Sequence, residues 1–142
     1  MAEDKGPESG FIRIKITSPL AVVADMEAES ALIPALLGNR LVIPKMAPFF
    51  CLIRPGKIRI QNHQGQDREF FVSQGVCEVR RDICAVMAWA QAVDKTDPVD
   101  ITRLLEEAET MLANSVAASA RRELMKRIDF YRLILQDRQN NI

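Results

Sequence analysis

The change of hydrophobic period at Thr96-Asp97-Pro98 constrains this chain more than any other feature. Before it, apolar residues alternate or cluster in short runs bounded by turn residues, and beyond it they recur at steps of three and four. Strands followed by helices make an α+β protein and do not suit a parallel sheet with crossover helices.

The strand half opens at Phe11. Ile12, Ile14 and Ile16 alternate with Arg13, Lys15 and Thr17, which predicts a half-buried strand ended by Ser18-Pro19. A second extended stretch is expected from Ala21 to about Ile33, with Pro34 stopping it. Leu41 to Ile43, Phe49 to Ile53 and Lys57 to Gln61 are short strands set apart by Pro44, Pro48 and the Arg54-Pro55-Gly56 turn. Asn62-His63-Gln64-Gly65 reads as a hairpin tip, and Glu69 to Ser73, Val76 to Arg80 and Ile83 to Ala90 supply the rest. About eight short strands with frequent turn signals predict an antiparallel β-sandwich.

In the second half Asp97 suits an N-cap, Pro98 a first helical position, and Asp100 puts a carboxylate against the positive helix end. Ile101, Leu104, Leu105, Ala108, Met111 and Leu112 then share one helical face. After Asn114-Ser115 a longer helix is expected from about Val116 to Arg138, with Ala117, Ala120, Leu124, Ile128, Tyr131 and Leu135 as its apolar stripe. So short a linker makes an antiparallel two-helix hairpin. Met125, Phe130 and Ile134 add apolar surface outside that stripe, so the hairpin needs a third surface, the sandwich or another protein.

Composition excludes several function classes. With 142 residues, 48% hydrophobic and 27% charged, the chain has the makeup of a folded protein. Nineteen basic residues balance nineteen acidic ones, leaving no global field to attract nucleic acid or anionic lipid. No apolar run is long enough to span a bilayer, and Met1 to Gly10 is polar and acidic, so a cytoplasmic protein without direct membrane insertion is expected. Cys51, Cys77 and Cys84 lie in strand-like segments as reduced, packed thiols, and neither their spacing nor the lone His63 suits a metal site. Ser73 lacks a nearby histidine, phosphate-cradling glycine loops are missing, and a thiolate enzyme built on Cys77 or Cys84 would need a base that His63 is poorly placed to supply.

Several strings, in order, resemble the F-type ATP synthase epsilon family over about Phe11 to Gln136. Ile14-Lys15-Ile16-Thr17-Ser18-Pro19 is similar to that family's opening strand and Ser-Pro turn, and Ala47-Pro48 to the end of its Gly-His-Ala-Pro. Ile53 to Ile60 resembles its Pro-Gly hairpin, Val72 to Val79 its Ser-Gly-Gly and Glu-Val, Ala88 to Ala92 its strand-ending Ala-Asp-x-Ala, and Val99 to Arg103 its first-helix entry. Gly38-Asn39-Arg40-Leu41 stands where the family has Glu-Leu-Gly, and Lys45-Met46 where it has Gly-His, which marks a divergent bacterial member.

The resemblance implies a flexible N-terminus over 1–10, a sandwich over 11–94 and a regulatory hairpin over 95–142. It implies a non-catalytic central-stalk subunit, peripheral on the cytoplasmic face of the bacterial inner membrane, that couples ion-driven rotation to ATP synthesis. The implied partners are the gamma subunit, the membrane rotor ring and the catalytic alpha and beta subunits. Asn39, Arg40, Lys45 and Met46 would face the ring, and Arg121, Arg122, Lys126 and Arg127 would meet the catalytic subunits when the hairpin inhibits ATP hydrolysis. A solvated basic helix face explains those four cations equally well. Asp100, Arg103 and Lys126 fall where some members hold regulatory ATP, but Phe130 replaces an expected arginine and a plain helix start accounts for Asp100 and Arg103, so no cofactor is expected. A free-standing nucleotide-sensing or protein-binding module is the alternative.

Overall fold

The computed structural model describes residues 6–62, 67–93 and 101–140, apart from the side chain at the last position. The expected hairpin tip at His63 to Gly65, the helix entry at Asp97, Pro98 and Asp100, and the first five residues lie outside the described residues. The chain divides into two compact units, Met1–Val93 and Asp94–Ile142.

Ten strands build the first unit: β1 (Ile12–Thr17), β2 (Val22–Ala28), β3 (Ser30–Ala35), β4 (Gly38–Val42), β5 (Phe49–Ile53), β6 (Gly56–Gln61), β7 (Arg68–Val72), β8 (Gly75–Arg80), β9 (Ile83–Met87) and β10 (Ala90–Ala92). They form one hydrogen-bonded ribbon in the order β10-β7-β6-β3-β5-β8-β9-β1-β2, with β4 paired to β3. Every described pairing is antiparallel except β1 with β9, which run parallel. The inward residues follow the period of two, so Ile12, Ile14 and Ile16 of β1 join Ile33, Ile53, Ile58, Ile60 and Phe70 in one fully buried core.

Two expected strands divide in the structure. The stretch from Ala21 to Ile33 becomes β2 and β3, because Ala28 still pairs with Ile12 while Ser30 pairs with Gln61 on the other side of the ribbon. Pro34 lies inside β3 instead of stopping it: β3 and β5 share only the Ala35–Ile53 pairing, and the Pro34 carbonyl accepts the Arg54 amide at 2.9 Å. Proline is tolerated where a ladder opens in this way. The stretch from Ile83 to Ala90 likewise splits into β9 and β10, since the Ala88 amide bonds to Thr17 and the Trp89 amide to the Ser73 hydroxyl.

Opposite charges meet on the outer face of β1 and β2. Arg13 donates from Nε and Nη2 to the two Asp25 oxygens, each at 2.8 Å. Those bonds, helped by the charges of Arg13 and Lys15, hold the Asp25 carboxyl below its usual range although partial burial works against them. A folded-state pKa below the unfolded one means that the pair's stabilisation is complete above about pH 4 and is lost as pH falls through the lowered value. Asp25→Asn is therefore expected to flatten part of the acid dependence of the melting temperature below about pH 4, and to remove less than about 1 kcal/mol at neutral pH because the pair is partly solvated. Thermal melts from pH 2 upward check this.

The second unit is a helical hairpin, α1 (Ile101–Asn114) and α2 (Ala118–Asn140). On α2, Ile128, Tyr131, Phe130 and Ile134 are buried, while Ala120 and Met125 are exposed, as is Ala117 just before the helix. The expected stripe thus shifts toward the C-terminal half of α2. At the turn, polar contacts replace apolar packing: Arg121 Nη1 donates to the carbonyls of Leu112 at 2.8 Å and Ser115 at 2.9 Å.

Candidate functional site

The pairing register fixes what the outer face of β5, β8, β9, β1 and β2 displays. Inward positions take Ile53, Cys77, Cys84 and Ile14, so alternate residues point outward. Leu52 faces Val76, Val76 faces Met87, Met87 faces Thr17, and Thr17 faces Val22. These five residues form a single row across five strands, about 19 Å long at the usual strand spacing. Only Thr17 is polar. Met87, Val22 and Leu52 are 58%, 54% and 48% exposed. The next row, Phe50, Glu78, Ala85, Lys15 and Asp25, carries three charges, and its exposed Phe50 extends the apolar surface only along β5.

At the β5 end of the row the Leu36 amide bonds to the Leu52 carbonyl, and the β3–β4 tip opens a cleft of about 350 Å³ lined by Leu36, Leu37, Arg40, Phe50, Cys51 and Leu52. Leu37 at the tip is 100% exposed. Solvated leucine on a hairpin tip beside an apolar row has the character of a contact surface.

The expected ring-facing residues fall on two different pieces of chain. Asn39 and Arg40 belong to β4, where Asn39 Oδ1 accepts from Arg54 at 2.7 Å and the Arg40 guanidinium lies 4.2 Å from the centre of the Phe49 ring. Lys45 and Met46 sit in the β4–β5 connection. There the Met46 sulfur accepts the Ile43 amide at 3.4 Å, and the Lys45 amide donates to Asp82 Oδ1 at 2.6 Å.

On the hairpin, the basic residues play different parts. Arg121 spans the turn, and the half-buried Arg127 donates to the Tyr131 hydroxyl at 2.9 Å. Arg122 and Lys126 remain on the exposed side one helical turn apart, with Lys126 3.6 Å from Glu123. Arg132 reaches Glu109 of α1 at 3.5 Å. Of the candidate nucleotide ligands, Arg103 is exposed on α1, Lys126 is exposed on α2, and Asp100 is outside the described residues.

The β-sandwich domain of the ATP synthase delta/epsilon chain matches residues 11–92, from the start of β1 to the end of β10. The chain belongs to that family. The ATP synthase epsilon chain of Alkalilimnicola ehrlichii is 32% identical over 110 residues, covering 75% of this chain and 76% of the relative. That of Xylella fastidiosa is 33% identical over 104 residues, covering 72% and 74%. In fold, the chain is similar to one from the Euglena gracilis mitochondrial ATP synthase, solved as OSCP, F1 and c-ring in rotational state 1, with a TM-score of 0.60 and 14% identity over 96% of this chain and 86% of that one.

In this delta/epsilon family member the three thiols meet in the sandwich core. Cys51 faces Cys77 across β5 and β8, and the Cys77 and Cys84 sulfurs are 3.6 Å apart. The hydrogen bond with Cys84, followed by burial, drives the Cys77 thiol far above its ordinary range, and burial raises Cys51. Thiols held protonated in this way are poor nucleophiles. Among the described residues, no three His, Cys, Asp or Glu side chains are placed to hold a metal ion.

Sequence reasoning missed Arg54, Asp82 and the apolar row. Arg54 fastens the β3–β4 tip, donating from Nε to the Ala35 carbonyl at 3.1 Å as well as to Asn39. Asp82 had one available signal: Arg81-Asp82 separates two alternating apolar segments by two residues, as in a tight hairpin.

Proposed function

We propose that this ATP synthase delta/epsilon chain is a non-catalytic rotor subunit of the central stalk, whose sandwich docks on the gamma subunit and rests on the membrane rotor ring. The observation carrying this reading is the row Leu52, Val76, Met87, Thr17 and Val22: a rigid sheet presenting apolar side chains to solvent, in a family whose members serve one assembly. A rotor part must carry torque without slipping, and side chains fixed on a hydrogen-bonded sheet give a stiffer contact than a loop. Asn39, Arg40, Lys45 and Met46 are the proposed ring contacts, which agrees with the presence of a c-ring in the Euglena assembly. The Cys77 and Cys51 thiols, held protonated, favour packing over thiolate chemistry.

No described helix is long and apolar enough to cross a membrane, which agrees with peripheral attachment, proposed here at the cytoplasmic face. Pull-down of the full chain from detergent-solubilised membranes tests the proposal: gamma, ring and catalytic subunits should be recovered together. Recovery of none of them would favour a free-standing binding module.

The hairpin is the proposed regulator of ATP hydrolysis, acting on the catalytic alpha and beta subunits. Since Arg121 and Arg127 serve the hairpin itself, the outward charge rests on Arg122 and Lys126. Changing both to Glu replaces attraction with repulsion at an acidic partner surface, and exposed pairs of this kind contribute up to about 1 kcal/mol each. Hydrolysis by the assembled synthase is expected to rise several-fold at low salt with assembly unchanged, and raised salt should have part of the same effect on the wild type. An unchanged rate would mark the basic face as merely solvated.

A further inference from the structure

Three described non-glycine residues have backbone torsions in the left-handed region: Lys45 with φ of 64°, Arg81 with 53° and Asp82 with 61°. Such torsions are disfavoured for residues bearing a Cβ and persist where the surroundings hold them. All three occur at one junction. Arg81 and Asp82 form the two-residue turn between β8 and β9, and that turn meets the β4–β5 connection where the Lys45 amide donates to Asp82 Oδ1 at 2.6 Å.

We propose that Asp82 is a positioning residue for the rotor-ring contact: its carboxylate sets the shape of the loop carrying Lys45 and Met46, although it is not itself one of the proposed ring contacts. This inference rests on the reading of that loop as ring-facing. Asp82 is anchored on its other side because its carbonyl accepts the Arg13 amide of β1 at 2.8 Å, which ties the turn to the sheet. Its carboxylate is thus a fixed acceptor for the loop that joins β4 to β5. An ionised acceptor makes a stronger bond to a backbone N–H than a neutral one. That bond holds Lys45 in a torsion it would otherwise leave, while the Met46 sulfur closes the same loop onto the Ile43 amide. Movement at the β8–β9 turn would therefore alter how Lys45 and Met46 meet the ring.

The side chain at position 82 can be varied without straining the turn, which separates positioning from folding. Asp82→Gly accepts the left-handed torsion more readily and removes the acceptor, whereas Asp82→Asn tolerates the torsion and keeps an amide oxygen in place. The experiment combines hydrogen exchange at the Lys45 amide in the full chain with binding of the full chain to the purified rotor ring. For Asp82→Gly, exchange at Lys45 should accelerate about ten-fold or more and ring affinity should fall about ten-fold, with the urea midpoint near that of wild type. For Asp82→Asn, both should stay within about three-fold of wild type. Unchanged Lys45 exchange in Asp82→Gly overturns the inference, and so does faster exchange with full ring affinity. Lys45→Glu separates the two levels: if it weakens ring binding while Asp82→Gly does not, only the positioning role fails, and if it leaves ring binding intact, the ring-facing reading and the inference resting on it both fall.

Discussion

Gly75→Val is expected to unfold the sandwich or to destabilise it by about 3 kcal/mol or more, among the larger effects of a single substitution. Gly75 opens β8 opposite Ile53, where β9 ends and the chain turns toward β10. A Cβ there would overlap the Met87 carbonyl oxygen and lie 2.6 Å from the Ala88 Cβ and 3.1 Å from its Cα. Those atoms cannot retreat cheaply, because the Ala88 amide is bonded to the Thr17 carbonyl at 3.1 Å and moving it loosens β9 from β1. The smaller change Gly75→Ala meets the same atoms and should also be clearly destabilising. Gly56→Ala is the contrasting case: its Cβ would approach the Pro34 Cβ at 3.3 Å, close but adjustable, so a loss under about 1 kcal/mol is expected. Urea unfolding monitored by circular dichroism checks all three, and a Gly75→Ala protein with a wild-type midpoint would show that the turn at Ala88 is looser than described.

The double change Leu52→Asp and Met87→Asp should abolish docking on the gamma subunit while leaving the fold nearly untouched. Both side chains are outward and about half exposed, so their replacement should shift stability by no more than about 1 kcal/mol. In an interface the same positions lie on either side of Val76, Met87 at the centre of the apolar row and Leu52 at its β5 end, where two carboxylates would be buried without partners. Burying a carboxylate without a partner costs about 2 kcal/mol or more at each position, equivalent to an affinity drop of several hundred-fold or more for the pair. Glu78→Gln in the adjacent mixed row should change affinity less than ten-fold, because rim charges contribute little. Calorimetric titration of the purified gamma subunit into each variant reads these differences. A double variant that binds like the wild type would move the gamma contact off this row.

Much of the fold could be read from local pattern, and the exceptions share a physical cause. Ile12, Ile14 and Ile16 announce β1 because their period is local, and Arg54-Pro55-Gly56 announces the β5–β6 turn because proline and glycine impose it. Ala28-Glu29-Ser30 gives no such notice: β2 ends and β3 begins only because the next pairing partner is Gln61 in place of β1, a fact of tertiary structure. Pro34 misled for the same reason, since whether proline ends a strand depends on whether its missing donor had a partner. In the candidate site, Asn39, Arg40, Lys45 and Met46 could be singled out by their departure from the family pattern, but their fastening by Arg54 and Asp82 links residues far apart in sequence. The apolar row was hidden altogether. Its members come from five strands, and only the register shows that Val22, Thr17, Met87, Val76 and Leu52 stand side by side.

The rotor assignment is tested most directly in proteoliposomes holding a synthase assembled without this subunit and energised by an ion gradient. Adding the full chain should restore ATP synthesis coupled to the gradient, and the Leu52→Asp, Met87→Asp double variant should fail to do so. If synthesis remains absent after the wild-type chain is added to an otherwise complete synthase, or if the double variant restores it fully, the chain does not couple rotation through the surface described.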